Sequence, residues 1–302
     1  MISLRDTIRN EQSSIAKTRQ YKNVGVGLLF STTIALLAYQ RKSLSRSGIV
    51  GAILSGTSAF GLGGWAWAVT LIYFFISSSI LSHFKAQQKE QTANDKFSKG
   101  NRRDMSQVLA NGGVGTLLAL SYAAAPTEAA RQLLEAGYIG SLATATADTW
   151  ATEVGVLSTT YPRLITTGNL TSPGTSGGIT PLGIGASAGG ALSLGLVFWL
   201  LKRGKSAPQL PWIALCSGLV GSLFDSYLGA TVQAMYYCPV CQKETERSIH
   251  SCGTQTQALR GISWLNNDVV NFLATLSGAG IAMLIHFFLA RKRAQSLSRD
   301  KN

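Results

Sequence analysis

The sequence predicts an all-α, polytopic integral membrane protein with about eight transmembrane helices (about seven to nine), some of them broken or re-entrant. Two observations lead to this fold class. Of the 302 residues, 46% are hydrophobic and only 14% are charged, whereas a typical soluble domain has about 25% charged residues. Apolar runs long enough to cross a bilayer, about 17 to 25 residues each, also recur along the whole chain.

The apolar runs define the individual elements. Residues 65–82, "WAWAVTLIYFFISSSILS", contain no charge at all, which argues against a buried helix of a soluble protein. The weaker runs are rich in Gly, Ser and Thr, residues that let membrane helices approach closely. Residues 47–82 also fit one broken or re-entrant hairpin around "GLGGW". The predicted spans are 24–40, 47–63, 64–82, 107–126, 136–153, 178–201, 209–235 and 267–290.

These spans predict one transmembrane domain, residues 24–290, between a polar segment at 1–23 and a basic tail at 291–302. The predicted location is an integral, multi-pass one, in the inner or plasma membrane if the source is prokaryotic. With eight spans, the loop 41–46 shares one side of the membrane with the three loops that carry most of the candidate chemistry. Lys and Arg divide almost equally between the two sides, so the positive-inside rule does not fix the orientation. The three candidate active loops are 83–106, 148–177 and 236–266.

The net charge of +13 would suggest nucleic-acid binding in a soluble protein. Here the basic residues lie between apolar runs, where they meet the lipid bilayer, anionic headgroups or phosphorylated substrates. No nucleic-acid motif is present, so a nucleic-acid polymer is not an expected partner.

The stretch "ATATADTWATEVG", residues 143–155, places Asp148 and Glu153 at the end of a membrane run. A charge inside a bilayer costs several kcal/mol, so such carboxylates usually face water, a partner or a metal. Their spacing puts them about 140° apart on a helix, with Thr144 and Thr152 on the stripe of Asp148. Simple hydration at the headgroup boundary is the alternative.

A glycine-rich segment, "PGTSGG" at 173–178, precedes the next apolar run. A helix that begins just after it would offer free amide groups to an anion, so the segment is a candidate phosphate cradle. A tight turn between two membrane helices explains the same residues equally well. The candidate phosphate-binding residues here are Gly174, Thr175, Ser176, Gly177 and Gly178.

Further acids and amides extend this set. Asp225 lies near the middle of an apolar run, Asp268 opens the last run, and Asn267 or Asn266 is a candidate N-cap for that helix. Asn111 lies early in the fourth run. Such oxygen-rich surroundings beside phosphate-binding groups suit Mg²⁺. Arg102 and Arg103, close to the membrane re-entry, are the residues of the loop 83–106 best placed to attract phosphate. Arg163 is a candidate phosphate clamp or merely a headgroup anchor.

The loop "CPVCQKETERSIHSCG" contains Cys238, Cys241, His250 and Cys252. A CxxC pair followed by His and Cys provides the ligands of a tetrahedral structural Zn²⁺. The one-residue gap between His250 and Cys252 is tighter than in common zinc fingers. A redox-active CxxC pair and unpaired thiols are the alternatives.

Several segments together resemble a known polytopic family: "LANGGVGTLLAL", "GSLATATADTWATEVGVLS", "RLITTG", "PGTSGGIT", "GASAGGA", "GSLFDSYLGATVQ" and "WLNNDVVNFL". This family includes animal transmembrane protein 19 and the phytyl-phosphate kinase of plants and cyanobacteria. The resemblance covers about residues 40 to 290. It implies a membrane-embedded kinase that converts an isoprenoid (phytyl or prenyl) monophosphate to the diphosphate, with CTP or another nucleoside triphosphate as donor. The Cys/His loop departs from the family's animal and plant members.

On this hypothesis Asp148 and Glu153 hold the Mg²⁺–nucleotide, with Asp225 or Asp268 as a further ligand. The glycine-rich segment holds phosphates, and Arg163 or Arg102 holds the acceptor. Two other functions use the same residues. A CDP-lipid-forming cytidylyltransferase needs the same metal and phosphate groups, and a transporter or flippase would use Asp225 in an intramembrane carboxylate pathway.

Overall fold

The computed structural model describes residues 4–93, 102–203 and 208–299, and helices dominate this part of the chain. The helices are α1 (Leu4–Gln40), α2 (Arg46–Ser58), α3 (Trp65–His83), α4 (Ala86–Ala93), α5 (Met105–Ala124), α6 (Glu128–Gly155), α7 (Pro181–Leu201), α8 (Leu210–Thr231) and α9 (Asn267–Arg299).

Each of the eight predicted apolar runs coincides with a helix. Among the described residues, five helices are long and apolar enough to cross a membrane. The other three fall short because α2 has only 13 residues before a π-helical turn, α5 contains Gln107 and Asn111, and α6 contains charged residues at both ends. The five candidate spans are Tyr21–Gln40, Trp65–His83, Pro181–Leu201, Leu210–Thr231 and Asn267–Ser296.

Large apolar side chains cover the outside of the helices, including the short helix α2 and the more polar helix α5. Leu54 on α2 and Leu117 on α5 are about half exposed, as are Leu284 and Phe288 on α9. Soluble proteins rarely expose large contiguous apolar patches. The outward faces therefore fit contact with lipid.

The run 47–82 is divided at Gly64. A π-helical turn, Ala59–Gly63, ends α2, and Gly64 has a φ of +89°, which favours glycine. Helix α3 begins at the next residue. The expected interruption around "GLGGW" is thus a glycine break between two helices.

Helix α6 is the central element. It packs against α3, α5, α7, α8 and α9, and every residue from Glu135 to Ala147 is buried. Tyr138 stacks on Trp67 with ring centroids 4.0 Å apart and donates a hydrogen bond to the Trp67 carbonyl at 2.7 Å. The long apolar helices therefore surround a helix that carries the acidic motif.

Thr144 belongs to this packing and not to a binding site. Its hydroxyl donates to the Gly140 carbonyl at 2.9 Å, and its side chain packs against Gly221 and Gly278, where a Cβ atom would collide with it. Small residues at these positions allow α6, α8 and α9 to approach closely. The expectation that Thr144 binds substrate is wrong, because the side chain is fully buried between helices.

Five short strands in the described loops were not part of the all-α prediction. Strands β1 (Arg163–Leu164) and β2 (Gly178–Ile179) form an antiparallel hairpin on either side of the glycine-rich segment. Strands β3 (Met235–Cys238), β4 (Lys243–Thr245) and β5 (Gln257–Arg260) form an antiparallel sheet in the order β4-β3-β5. Arg260 of β5 donates to the Gly229 carbonyl of α8 at 2.9 Å, which joins the sheet to the end of that helix.

The loops expected on one side of the membrane do meet. Arg103 donates its backbone N–H to the Ser43 carbonyl, and its carbonyl accepts from Ser45, both at 3.0 Å. The loop 41–46 is thereby joined to the loop 83–106. Residues from the other two candidate loops lie nearby around one cleft.

Candidate functional site

A cleft of about 570 Å³ lies where the polar ends of the helices meet the connecting loops. This volume is in the range of small-molecule sites, about 300–1,000 Å³. Residues of α3 to α9, the glycine-rich segment and the loop after β4 line it. Of the predicted site residues, those that line it are Asn111, Asp148, Thr152, Glu153, Gly174, Thr175, Ser176, Gly177, Gly178, Asp225 and Asn267.

Acidic side chains reach the cleft from three elements. Asp148 comes from α6, Asp225 from α8 and Glu246 from the residue after β4. One oxygen of Asp225, Oδ2, is buried and has no hydrogen-bond partner among the described residues. A buried carboxylate without a partner is costly. This orphaned oxygen beside a second carboxylate fits a bound cation.

The donor set fits Mg²⁺ of the kind that binds nucleotides. Within the described ranges, the one group of three or more His, Cys, Asp or Glu side chains placed to hold a metal ion together lies in the Cys/His loop and not in the cleft. Glu153 and Glu246 already have side-chain partners, so Asp148 and Asp225 are the carboxylates that would hold a cation in the cleft. Mg²⁺ commonly takes one or two carboxylates and completes its shell with waters and phosphates.

Glu153 lines the cleft, but both of its oxygens are already engaged. Lys89 of α4 pairs with Oε2 at 2.6 Å, and Ser82 of α3 donates to Oε1 at 2.6 Å. Lys89 also donates to the Leu81 carbonyl. The expected pairing of Asp148 and Glu153 around one metal is therefore replaced by a salt bridge that fixes Lys89 at the cleft.

The glycine-rich segment is a tight loop whose shape depends on its glycines. Gly174 and Gly177 have φ values of +74° and +83°. Gly177 lies so close to Ala230 of α8 that a Cβ atom would collide with it. The Gly178 amide donates to the Thr175 carbonyl at 2.9 Å, so the expectation that this amide binds phosphate is wrong.

The helix after the loop does not offer the free N-terminus that the sequence suggested. Strand β2 and Thr180 separate the loop from α7, and the Thr180 hydroxyl accepts from the Gly183 amide at 3.0 Å. Side-chain hydrogen bonds instead connect the glycine-rich segment to neighbouring residues. Ser176 donates to the Gln233 Oε1 at 3.0 Å, and the Gln233 Nε2 donates to the Glu246 Oε1 at 2.8 Å.

Among the described residues, the cations that line the cleft are Lys89 and Arg103. The Arg103 guanidinium lies over the rings of Phe74 and Phe75, 5.7 and 5.6 Å from their centroids. Burial lowers the pKa of Arg103 from its ordinary value, while the charge of Glu153 opposes this effect. The guanidinium nevertheless stays charged, as Arg does in proteins.

The two arginines chosen from the sequence lie elsewhere. Arg102 is exposed and is not part of the cleft wall. Arg163 donates to the Gly168 carbonyl at 2.8 Å, where it closes the turn beside β1. Neither arginine lines the cleft, whereas Arg103, the neighbour of Arg102, does.

Helix α9 contributes amides to the cleft. Asn267 and Asn271 line it and lie four residues apart, hence on one helix face. Asp268 points to a different face and does not line the cleft, so the expected role as a ligand is not supported. Asn266, one of the two N-cap candidates, accepts from the Val269 amide at 3.1 Å.

Two further cleft residues, Asn271 and Gln107, were not predicted, although their spacing in the sequence marks them. The i, i+4 spacing of Asn271 from Asn267 and of Gln107 from Asn111 marks a common polar face. Glu246 gave no such signal, because its place in the cleft depends on the three-stranded sheet.

The Cys/His loop lies outside the lining of the cleft. The ligand atoms of Cys238, Cys241, His250 and Cys252 all lie within 4.8 Å of one another. Hydrogen bonding to Thr254 and then to His250 lowers the pKa of the Cys252 thiol to about 6. The thiolate is the form that binds metals.

Comparison with known proteins agrees with this architecture. The family described as "Integral membrane protein DUF92" matches residues 29–279. Protein PGR of Arabidopsis thaliana is 33% identical over 269 residues, covering 82% of this chain and 91% of that protein. Membrane protein MJ0933 of Methanocaldococcus jannaschii is 30% identical over 264 residues, covering 86% and 93%.

A third relative, the chloroplastic protein VTE6 of Arabidopsis thaliana, is 28% identical over 249 residues, covering 82% of this chain and 66% of that protein. No solved structure matches the chain. The family match spans α2 to α8 and most of the membrane part of α9, and so includes the whole cleft. The chain belongs to the DUF92 family of integral membrane proteins.

Proposed function

We propose that this integral membrane protein is a phosphotransferase that converts an isoprenoid monophosphate, phytyl or prenyl, to the diphosphate. An oxygen of the lipid phosphate attacks the γ-phosphorus of a nucleoside triphosphate such as CTP. The bond from the γ-phosphorus to the bridging oxygen breaks, and the nucleoside diphosphate leaves. The motif resemblance to the family that includes phytyl-phosphate kinase supports this reaction.

The observation that carries the proposal is the composition of one cleft. Phosphoryl transfer needs little covalent chemistry from a protein, but it needs cations and metal ions that align the phosphates and neutralise their charge. Asp148 and Asp225 would hold Mg²⁺, which would neutralise charge on the phosphates. Lys89 and Arg103 supply fixed positive charge within the same walls.

The position of the cleft suits a lipid substrate. Its walls are the ends of helices that expose large apolar side chains along their outer faces. A prenyl chain could lie along these helices while its phosphate reaches Arg103 and Lys89. The glycine-rich segment, whose Ser176 is hydrogen-bonded to Gln233, would contact the nucleotide phosphates.

The direct test uses the full chain purified in detergent with Mg²⁺, phytyl or geranylgeranyl phosphate, and CTP labelled at the γ-phosphate. We expect labelled lipid diphosphate and CDP. Formation of CDP-lipid with release of pyrophosphate would show the cytidylyltransferase reaction instead. Lipid movement in proteoliposomes without nucleotide consumption would show a transporter, the reading that the unpartnered Asp225 oxygen also allows.

The salt bridge between Lys89 and Glu153 predicts that Glu153 contributes less to the reaction than Asp148 does. Glu153→Gln should lower kcat/KM only about tenfold, which is about 1.4 kcal/mol, because the amide still accepts from Ser82 while Lys89 loses its counter-charge. Lys89→Met should cost at least as much, and the double variant should cost no more than Lys89→Met alone. Steady-state kinetics of the three variants checks this. A loss in Glu153→Gln as large as in Asp148→Asn would return Glu153 to the metal ligands.

A further inference from the structure

The Cys/His loop has the geometry of a four-coordinate metal centre. The Cys238 and Cys252 sulfurs are 3.7 Å apart, and the His250 Nδ1 is 3.2 Å from the Cys252 sulfur. With zinc–sulfur bonds of about 2.3 Å, a tetrahedron separates two sulfurs by about 3.8 Å. A disulfide would bring sulfurs to about 2.05 Å. The spacing is that of ligands around one ion.

The backbone around the four ligands forms two similar turns. After the first pair, the Cys241 amide points at the Cys238 sulfur at 3.5 Å, and Gln242 has a positive φ of 53°. After the second pair, Gly253 has a φ of +83° and donates to the His250 carbonyl at 2.8 Å. Each pair is thus closed by a residue in the left-handed region.

The centre connects to the cleft through the three-stranded sheet. Cys238 ends β3, and its register partner is Lys243 of β4. Glu246 follows β4 directly, reaches the cleft wall and accepts from Gln233, whose other amide atom accepts from Ser176 of the glycine-rich segment. Gln233 is only 1% exposed. The sheet therefore links the ligands to Glu246, and a partly buried chain of hydrogen bonds links Glu246 to the glycine-rich segment.

We propose that Cys238, Cys241, His250 and Cys252 bind one Zn²⁺, and that this ion braces the glycine-rich segment of the cleft through Glu246 and Gln233. The four residues are positioning residues, since the centre lies outside the cleft lining. The proposal concerns metal content and loop order, so it stands or falls independently of the proposed activity.

The first measurement is the metal content of the full chain purified without added chelator. We expect about one zinc per chain, loss of that zinc in Cys238→Ser, and its retention in Cys216→Ser, the matched control on α8. Absence of zinc from the wild-type protein even after incubation with Zn²⁺ would overturn the proposal. A Cys238–Cys241 disulfide in mass spectra, or equal zinc loss in the control, would also overturn it.

If Cys238→Ser does not fold, the wild-type protein still decides the question. Exchange of the bound ion for Co²⁺ should produce the thiolate-to-cobalt absorption of a tetrahedral site. Lack of that absorption in protein that takes up cobalt would contradict the three-thiolate ligand set.

The second measurement is amide hydrogen exchange of residues 172–178. Zinc removal should make exchange of this segment about tenfold faster or more, while α2 and α3 remain unchanged. Gln233→Ala should reproduce the effect with zinc still bound, because it breaks the connection without touching a ligand. Unchanged exchange in either case would overturn the bracing role.

Discussion

Asp148→Asn and Asp225→Asn should each lower the rate of lipid diphosphate formation by about 10²–10³-fold, the typical cost of removing one group that stabilises charge in a transition state. Both carboxylates line the cleft from different helices. Asparagine keeps the shape but removes the negative charge that would hold the metal–nucleotide complex. Steady-state kinetics at saturating lipid phosphate, with Mg²⁺ varied, would measure the loss and a raised requirement for metal.

Thermal stability measurements distinguish this loss of activity from a loss of folding. Because Oδ2 of Asp225 is buried without a partner in the described structure, neutralising it should leave the thermal midpoint of the ligand-free protein unchanged or raise it. Asp268→Asn is the matched control, since it makes the same change on α9 outside the cleft. We expect activity within about threefold of wild type for this control. Equal losses in Asp225→Asn and Asp268→Asn would remove the cleft from the mechanism.

The helical architecture was predictable because membrane-spanning runs are long and depend only on local composition. The sequence runs 24–40 to 267–290 each became a helix, even where α2 and α5 are too short or too polar to meet a hydropathy criterion. Composition does not show which helices, distant in the sequence, pack against one another. Thr144 therefore looked like a ligand beside Asp148, although it fills the space left by glycines of α8 and α9.

The residue types of the candidate site could be predicted from the sequence, whereas the contacts between those residues could not. A carboxylate within a membrane helix costs free energy wherever it lies, so Asp148 and Asp225 were recognisable from position alone. The partner of Glu153 was not, because Lys89 lies 64 residues away in the chain. Glu246 reaches the cleft only because β3 and β4 pair in one register. Such long-range contacts leave no periodic pattern.

The second large effect on activity is expected from one of two neighbouring arginines, Arg102 and Arg103. Arg103→Ala should lower kcat/KM for diphosphate formation by about 10²–10³-fold, whereas Arg102→Ala should stay within about threefold of wild type. The sequence placed both residues near the membrane re-entry, and the hypothesis drawn from it named Arg102. The structure places the Arg103 guanidinium against Phe74 and Phe75 at the cleft wall, while Arg102 is exposed.

A conservative substitution of Arg103 shows whether its positive charge or its packing on the two rings is responsible for the activity. Arg103→Lys keeps a cation but loses the planar group that stacks on two rings and binds phosphate in a bidentate manner. We expect it to recover part of the activity lost in Arg103→Ala. The backbone hydrogen bonds of Arg103 to Ser43 and Ser45 remain in both variants, so the loop stays joined. If Arg103→Lys were as inactive as Arg103→Ala while Arg102→Ala were also inactive, the basic segment would act through general attraction of phosphate and not through one oriented guanidinium.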